Sequence, residues 1–451
     1  MAYTFKGGVH VAESKHTAEK PIINMSAPAT VAIPLSQHIG AHCKPCVKVG
    51  DRVDRGTVIG AVEQGLGCPV HSSVSGTVKG FEEKMTPLGF RVTNVIIESD
   101  GENRISETIH PCEKTIDELT SDDVIEIVRN AGISGMGGAT FPTYAKISSA
   151  LGKVDTLIVN CAECEPFITA NHRLLLEQPD SIIGGMKILL KTFGIRVGII
   201  GIEDNKRDAI DIMNAKAASD KMLDVRVMKT KYPQGDERQL IYALTGRVIP
   251  SGKLPADVKC VVFNAETCAS VYNAFVTGMP LLERVVTVSG DCVREPANLL
   301  VPIGTSFADL AEYCGGFTEE PFKIINGGPM MGFAQWDINS TVTKGTSAVL
   351  YLSKAYDTDD STHACIHCGR CVAACQMHLM PNYIAMFAEK GQYDLCQEYS
   401  VMSCVECGAC SYICPGNVPI TQFNRAAKAK INEKIRAEKM REAAKAKEAV
   451  K

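Results

Sequence analysis

Two runs of four cysteines with the same spacing constrain this chain more than any other feature. The first run has cysteines at positions 365, 368, 371 and 375, and the second has them at 404, 407, 410 and 414. Cysteines this dense, in a chain that shows no secretory leader, predict metal or redox chemistry in a reducing compartment and argue against a disulfide framework. We therefore expect this part of the chain to fold around metal.

Both runs have the C-x-x-C-x-x-C-x-x-x-C spacing of bacterial two-cluster ferredoxins, and the second also has the proline of that pattern, Pro415. Three cysteines of one run hold one [4Fe-4S] cluster in such proteins, while the fourth reaches the other cluster. The pattern predicts two ligand sets: Cys365, Cys368, Cys371 and Cys414 for the first cluster, and Cys404, Cys407, Cys410 and Cys375 for the second. Gln376 replaces the proline of the first run, which removes no ligand. Structural zinc is the alternative, but zinc sites usually use two C-x-x-C pairs.

A glycine-rich segment at residues 132–146 predicts a phosphate-binding loop. Gly135, Gly137 and Gly138 carry no Cβ, so backbone N–H groups can approach an anion closely. Lys146 then adds a positive charge for the phosphate. The spacing matches neither a dinucleotide fingerprint nor a Walker loop. A flexible surface turn is the alternative for this segment in isolation.

The N-terminal part predicts an irregular arm followed by a small β domain. Residues 1–29 show no sustained periodicity, and residues 30–100 contain β-branched runs at 47–51, 56–60, 74–78 and 92–97 between glycine turns. The pattern resembles the biotinyl/lipoyl barrel-sandwich fold, although the hairpin that would carry a modifiable lysine has Gln64-Gly-Leu-Gly-Cys-Pro69 instead. Cys43, Cys46, Cys68 and His71 would allow a zinc site, but small buried cysteines are the better interpretation.

Residues 110–283 alternate strand-like and helical segments, which predicts a parallel, Rossmann-like α/β sheet. We predict strands at 156–159, 195–201, 225–228 and 260–263, and helices at 122–131, 173–192, 204–216, 236–244 and 266–276. Ligands bind at the carboxyl edge of such a sheet, and polar residues follow three of the strands. These are Asn160, Glu163 and Glu165, then Tyr232, Asp236 and Glu237, and finally Asn264 and Thr267. Their convergence with the glycine loop predicts a flavin site, whereas helix capping is the alternative for Asp236 or Asn264 alone.

Three further units complete the chain. Residues 284–355 are β-rich around a short helix at 307–313 and resemble a soluble-ligand-binding β-grasp (SLBB-type) module, which we interpret as a spacer. Residues 360–420 carry the cysteine runs in a ferredoxin-type helical unit, with a helix at 381–390 between them. Residues 421–451 predict a basic helix that is either solvated or in contact with an anionic membrane surface or an acidic partner.

Composition limits the possible partners. The formal net charge of −4 gives no reason to expect nucleic acid. Apolar runs stay well short of the roughly 18 residues that span a bilayer, so we expect a soluble intracellular chain. The eleven cysteines outside the runs are interpreted as core residues, with Cys161 and Cys164 notable because they flank the predicted flavin acids.

The order of these units resembles the RnfC family, which supplies one subunit of the Rnf complex, a membrane-bound ferredoxin:NAD⁺ oxidoreductase of bacteria. Two segments carry this resemblance, Phe5-Lys-Gly-Gly-Val-His10 and Asn160-Cys-Ala-Glu-Cys-Glu-Pro-Phe167, and it covers almost the whole chain. The central unit also resembles the flavin subunit of respiratory complex I, whose loop has the same Gly-x-Gly-Gly-Ala-x-Phe-Pro-Thr-x-x-Lys form.

The resemblance implies an FMN site and a nicotinamide-nucleotide site in the central unit. The implied FMN contacts are Gly135, Gly137, Gly138, Lys146, Asn160, Glu163, Tyr232, Asp236, Glu237, Asn264 and Thr267. Phe141 and Glu165 would lie on the side of the nucleotide. Met136 replaces an arginine common in the complex I loop, and Ala162 replaces an aspartate of its acidic motif. Glu203 and Asp204 fit either a ribose-binding acid or a solvated turn.

The implied function is electron exchange among NAD(H), FMN and two [4Fe-4S] clusters at the cytoplasmic face of the bacterial cell membrane. Reduced ferredoxin would be the indirect electron donor, and the other subunits of the complex would couple the reaction to Na⁺ or H⁺ movement. One alternative is a soluble NADH-dependent corrinoid (cobalamin) reductase with flavin and iron–sulfur groups. The other is a non-enzymatic docking subunit that relays electrons without bound FMN.

Overall fold

The computed structural model describes residues 3–87, 89–357 and 363–449, with the side chains of the last helix described as far as residue 442. The ends of the predicted arm and C-terminal helix, and residues 360–362 of the predicted ferredoxin-type unit, lie outside these ranges. None of the described helices combines the length and the apolarity needed to cross a bilayer.

The N-terminal part of the chain forms short strands. They are β1 (Ile22–Asn24), β2 (Thr30–Pro34), β3 (Lys44–Pro45), β4 (Arg52–Val53), β5 (Val58–Ala61), β6 (Val70–His71), β7 (Gly76–Met85) and β8 (Arg91–Ser99). Two antiparallel sheets result, one with the order β2-β8-β7-β4 and the other with the order β3-β5-β6. Residues that alternate along these strands, such as Val31, Ile33, Val95 and Ile97, are buried in the core.

The central part alternates helices and parallel strands. Its helices are α1 (Ser121–Asn130), α2 (Thr143–Ala150), α3 (Ala170–Glu177), α4 (Pro179–Phe193), α5 (Arg207–Ala217), α6 (Glu237–Thr245) and α7 (Ala265–Thr277). Its strands are β9 (Thr156–Asn160), β10 (Gly198–Glu203), β11 (Leu223–Met228) and β12 (Cys260–Asn264). They pair in parallel in the order β11-β10-β9-β12, which confirms the predicted parallel sheet.

A mixed sheet follows and takes one strand from the N-terminal arm. It contains β13 (Glu283–Ser289), β14 (Ala297–Pro302), β15 (Lys323–Asn326), β16 (Phe333–Gln335) and β17 (Ala348–Leu352), with α8 (Phe307–Tyr313) between β14 and β15. The strand order is β1-β14-β13-β17-β15-β16, and β1 pairs in parallel with β14. The arm is therefore anchored to this sheet, which its lack of periodicity did not reveal.

The cysteine-rich part is helical. It contains α9 (Arg370–Ala374), α10 (Pro381–Glu389), α11 (Tyr393–Glu398), α12 (Ala409–Tyr412) and the long α13 (Ile420–Ala449). Short 3₁₀ turns elsewhere span Ile116–Glu118, Pro255–Val258, Lys354–Tyr356 and Val401–Ser403. The predicted helix between the two runs of cysteines is α10, so that prediction is confirmed.

Some predicted elements differ from those observed. The helix predicted over 173–192 is two helices, because the chain breaks at Gln178 and α4 begins at Pro179, where a proline lacks the N–H that an interior position needs. The strand predicted at 195–201 begins at Gly198, after Gly194 has ended α4 in a left-handed conformation. The β-branched run at 47–51 forms the turn between β3 and β4.

Buried cations join the units of the chain. The Nε and Nη2 atoms of Arg284, on β13, donate to the two carboxylate oxygens of Glu266, on α7, at 2.9 and 2.8 Å. The Nζ atom of Lys344 donates to the carbonyl oxygens of Pro69 and Gly132, at 2.9 and 2.7 Å. Lys344 thus connects the mixed sheet, the N-terminal β domain and the start of the glycine loop.

Replacing Arg284 with Met should destabilise the protein by ~3–5 kcal/mol, because the buried Glu266 carboxylate loses its partner. The matched control is Lys79→Met, since the side chains of the Lys79–Glu98 pair are 50% and 58% exposed. An exposed pair contributes only about 0–1 kcal/mol. Urea unfolding followed by circular dichroism measures both changes, and equal losses in the two variants would contradict the prediction.

Candidate functional site

The glycine loop is a closed turn between α1 and α2. The Gly135 amide donates to the Phe141 carbonyl at 2.8 Å, and Gly137 has a positive φ of 76°. Gly137 and Gly138 lie exposed at the tip of the loop. A Cβ on Gly137 would lie 2.8 Å from Nδ2 of Asn264, so a side chain at this position would collide with the end of β12.

Neighbouring strands place amide side chains beneath this loop. Asn160 and Asn264 are register partners at the carboxyl ends of β9 and β12. The Asn160 side chain donates to the Gly235 carbonyl at 2.9 Å, which ties the start of α6 to the same edge. The Thr267 hydroxyl accepts from the Met136 amide at 3.1 Å, so the loop also packs on the start of α7.

The capping alternative applies to two of these residues. The Asp236 carboxylate accepts from the amides of Arg238 and Gln239 at 3.1 and 3.2 Å, and caps α6. The Asn264 side chain accepts from the Glu266 amide at 2.9 Å, and caps α7. Capping fixes the rotamers of both side chains while each helix start points toward the glycine loop.

Lys146 supplies the positive charge of this group. Its ammonium lies 2.8 Å from the Glu237 carboxylate and 5.5 Å from the centre of the Phe263 ring. The Lys146 side chain is 31% exposed, so the ammonium is held at the site and is still accessible to an anion. The structure therefore brings together most of the predicted FMN residues: Gly135, Gly137, Gly138, Lys146, Asn160, Asp236, Glu237, Asn264 and Thr267.

The other predicted residues bind protein groups. The Glu163 carboxylate is buried and accepts from the amides of Asn171 and His172 at 2.8 and 3.2 Å, so it caps the start of α3. The Tyr232 hydroxyl, also buried, donates to the Cys407 carbonyl at 2.5 Å. Phe141 remains 37% exposed beside the glycine loop.

Glu165 lies under a turn of the mixed sheet. Its carboxylate accepts from the amides of Met330 and Met331 at 3.0 and 2.9 Å. Burial raises the pKa of Glu165 to about 7, while the two amides, Lys15 and the Tyr232 hydroxyl act in the opposite direction. The resemblance implied a nucleotide contact for Glu165, whereas the structure gives both of its oxygens protein partners.

Lys15 was not singled out by the sequence, because it lies in an arm without a motif. Its buried ammonium donates to the carbonyl oxygens of Glu163, Glu165 and Ile168 at 2.8, 2.8 and 2.6 Å. Burial lowers the pKa of Lys15. The arm therefore fixes the backbone of the acidic motif that follows β9.

Glu203 and Asp204 do not form a solvated turn. Glu203 is fully buried, pairs with Lys206 at 2.7 Å and accepts from the Glu163 amide at 3.0 Å. Asp204 accepts from the Thr230 amide and hydroxyl at 2.9 and 2.8 Å. Glu203 borders a cavity of about 260 Å³ between the arm and the sheet edge, which Cys164 and Tyr232 also line.

The cysteines of the two runs line two separate cavities. A cavity of about 530 Å³ is lined by the first predicted ligand set, Cys365, Cys368, Cys371 and Cys414. A smaller cavity is lined by the second predicted set, Cys375, Cys404, Cys407 and Cys410. In each cavity one cysteine comes from the other run, as the crossed pattern requires. Four thiols around one cavity are the donor set of a [4Fe-4S] cluster, so the residues present fit that group.

The two runs also share a backbone conformation. His367 and Glu406, each just before the second cysteine of its run, have φ of 54° and 59°. Gly369 and Gly408, each just after that cysteine, have φ of 76° and 81°. The amides of Leu379 and Glu406 lie 3.4 Å from the sulfurs of Cys375 and Cys404, a type of contact that tunes the potential of a bound cluster.

The second ligand set lies against the central sheet, and the first lies outside it. Tyr232 reaches Cys407, and the Gln239 side chain reaches the Gln376 carbonyl at 3.4 Å. Cys365 and Cys368 are exposed. The predicted flavin site, the second cluster and the first cluster therefore follow one another from the sheet edge to the surface.

Outside the runs, the cysteines mentioned in the sequence analysis are mostly core residues. Cys161 and Cys396 are buried, as are Cys43 and Cys68. The Cys43 thiol donates to the Cys68 carbonyl, while Cys46 is exposed. In the described part of the chain, the ligand atoms of these cysteines and His71 do not come together as a metal site.

Family models match four successive stretches of the chain. They are an RnfC barrel sandwich hybrid domain at residues 3–102, a Nuo51 FMN-binding domain at 128–273, an SLBB domain at 285–334 and a 4Fe-4S dicluster domain at 364–418. These matches agree with the order of units inferred from the sequence and with a mixed α/β architecture.

Relatives match over most of the chain. The RnfC-type subunit of the Na⁺-translocating ferredoxin:NAD⁺ oxidoreductase complex of Acetobacterium woodii is 44% identical over 401 residues, covering 88% of this chain and 90% of the relative. This chain belongs to the RnfC family. The proton-translocating counterpart from Clostridium ljungdahlii is also 44% identical, over 89% of this RnfC chain and 88% of the relative. The counterpart in the ion-translocating oxidoreductase complex of Rhodobacter capsulatus is 36% identical over 96% and 84%. The resemblance stated from the sequence is confirmed.

The crossed ligand sets of this RnfC chain predict the iron content of double variants. In Cys375→Ala/Cys404→Ala both changes fall on one cluster, so about four of about eight iron atoms should remain. In Cys375→Ala/Cys365→Ala both clusters lose a ligand, so most iron should be lost. Iron analysis after anaerobic reconstitution measures this difference, with buried Cys396→Ala as the control. The reverse order would show that each run holds its own cluster.

Proposed function

We propose that this chain is the NAD(H)-linked flavin and iron–sulfur subunit of a membrane ferredoxin:NAD⁺ oxidoreductase complex. The observation that carries this proposal is the convergence of the glycine loop with the ends of β9 and β12, next to the run that contains Cys407. Relatives named as subunits of Na⁺- and proton-translocating complexes support it. In this proposal the chain sits peripherally on the cytoplasmic face of the membrane, receives electrons indirectly from ferredoxin, and depends on other subunits for ion movement.

The flavin site is proposed to hold FMN through its phosphate and its polar edge. The tip of the glycine loop offers backbone N–H groups without a Cβ in the way, and Lys146 offers an accessible ammonium, so the residues present fit an anionic group. Asn160, Asn264 and Thr267 would orient the rest of the molecule. FMN, when bound, accepts two electrons as a hydride from NADH and releases them one at a time.

The nucleotide and the clusters occupy opposite sides of that site in this proposal. Phe141 is the exposed aromatic side chain beside the loop and would stack on the nicotinamide nucleotide. Tyr232 lies at the other side, where its hydroxyl binds the Cys407 carbonyl. Two [4Fe-4S] clusters, when bound, carry single electrons between this side and the exposed Cys365 face.

The finer structural assignments belong to the same proposal. The two antiparallel N-terminal sheets support a lipoyl-like barrel-sandwich, and the mixed sheet around α8 supports a β-grasp module. The domain boundaries inferred from the sequence remain predictions.

Lys146→Ala should weaken FMN binding by ~10- to 100-fold, because a charge-assisted hydrogen bond to phosphate is lost. The matched control is Lys153→Ala, since Lys153 is exposed just after the same helix and donates to the Ser149 carbonyl. Flavin fluorescence titration of anaerobically purified protein gives both affinities. If the unaltered chain binds iron but no FMN, the docking-subunit alternative is favoured instead.

Gly137→Ala should also weaken FMN binding, by roughly tenfold or more, because it strains a positive φ and pushes on the Asn264 amide. Gly152→Ala is the matched control for backbone strain alone. Its φ is 69°, but a Cβ there would meet no heavy atom of the described chain within 4 Å. An equal loss of FMN affinity in both variants, measured by the same titration, would show that Gly137 is not part of the cradle.

A further inference from the structure

The turn above Glu165 connects β15 to β16 and consists of residues 327–332, here called the 327–332 turn. It is closed by a hydrogen bond from the Gly332 amide to the Gly328 carbonyl at 2.8 Å. Its sequence is Gly327-Gly-Pro-Met-Met-Gly332, within the unit that the sequence analysis interpreted as a spacer.

Two consecutive amides of this turn grip one carboxylate. Met330 donates to Oε2 of Glu165 at 3.0 Å, and Met331 donates to Oε1 at 2.9 Å. A Cβ on Gly328 would lie 2.2 Å from Oε2 of Glu165, so the turn approaches the carboxylate as closely as only glycine allows. Adjacent N–H groups that converge in this way form an anion-binding nest.

The opposite side of the turn lies on the second cluster run. A Cβ on Gly408 would lie 2.7 Å from the Met330 carbonyl oxygen. Met330 packs in the same apolar cluster as Tyr232, Cys407 and Ala409. The turn is therefore held between the acidic motif after β9 and the residues that follow Cys407.

Two connections from the central sheet thus meet at Cys407 and Gly408. Tyr232 makes the direct one, through its hydroxyl. Glu165 makes the indirect one, through the amides of the 327–332 turn. Because Glu165 has both oxygens engaged and is covered by the turn, its arrangement suits a positioning role better than a contact with a nucleotide.

We propose that Glu165 is a positioning residue that clamps the 327–332 turn against the Cys407–Gly408 backbone and so fixes the second cluster relative to the flavin site. The inference rests on the proposed function, because its consequence concerns electron transfer between those two sites. Electron transfer through protein falls steeply with distance, so a small displacement of Cys407 slows the transfer and leaves nucleotide binding intact.

The test compares Glu165→Ala, Glu165→Gln and Gly328→Ala in the full chain, reconstituted anaerobically. Hydrogen exchange of the peptide that contains Met330 and Met331 reports the clamp itself and requires neither flavin nor NAD(H). The rate of flavin reduction by NADH and its dependence on NADH concentration report the nucleotide site. The rate at which reduced clusters are reoxidised by NAD⁺ reports transfer between clusters and flavin.

Glu165→Ala and Gly328→Ala should accelerate exchange of this peptide and slow cluster reoxidation on the order of tenfold or more, with NADH dependence of flavin reduction unchanged. Glu165→Gln should fall between these variants and the unaltered chain, because its carbonyl oxygen still accepts an amide. The control is Gly80→Ala, which adds a Cβ with no described heavy atom within 4 Å.

Unchanged exchange in all three variants would overturn the proposal. A loss of NADH affinity in both Glu165 variants, with Gly328→Ala behaving like the unaltered chain, would also overturn it and assign Glu165 to the nucleotide. If the unaltered chain binds no flavin, the proposed function fails, while the exchange measurement still decides whether the clamp exists.

Discussion

The parallel register of β9 with β12 is the constraint on which the proposed flavin site depends. It sets Asn160 beside Asn264 at one edge of the sheet. A shift of one residue in either strand would turn one of these amides to the opposite face. The glycine loop rests on Asn264 through Gly137, and the start of α6 is tied to Asn160 through Gly235. Strand pairing thus gathers groups that are more than a hundred residues apart in the chain.

The second constraint is the attachment of the cysteine-rich part to this sheet edge. The N-terminal arm runs along the junction, where Val9 bridges to Tyr232 and the Gly8 amide donates to the Ala374 carbonyl. Tyr232 reaches Cys407 from the central sheet, and the 327–332 turn reaches Gly408 from the mixed sheet. Three units therefore contact the second cluster run, whereas Cys365 and Cys368 of the first remain exposed.

Local patterns were sufficient for much of this architecture. The spacing of the cysteines predicted the two ligand sets that line the two cavities, and the alternation of apolar runs predicted the parallel sheet. The polar residues after β9 and β12 were found because the carboxyl edge of a parallel sheet is where its loops converge. Each of these signals lies within a few residues of the feature that it predicts.

Contacts between distant segments had no such signal. Lys15 binds carbonyl oxygens about 150 positions away, and Glu165 binds the amides of a turn at a similar separation. The acidic motif after β9 indicated carboxylates at the sheet edge, but not that Glu163 caps α3. The pairing of β1 with β14 likewise depends on the folded mixed sheet, because a three-residue strand carries no periodicity of its own.

The central claim is that the second cluster lies between the flavin and the first cluster. Its most direct test uses Cys365→Ala, which lacks the first cluster, and Cys404→Ala, which lacks the second. Each protein is fully reduced without oxygen and mixed with NAD⁺, and paramagnetic resonance of freeze-quenched samples follows the remaining cluster. The account predicts that the second cluster in Cys365→Ala is reoxidised as fast as in the unaltered chain, while the first cluster in Cys404→Ala is reoxidised far more slowly. Equal rates, or the reverse order, would contradict it.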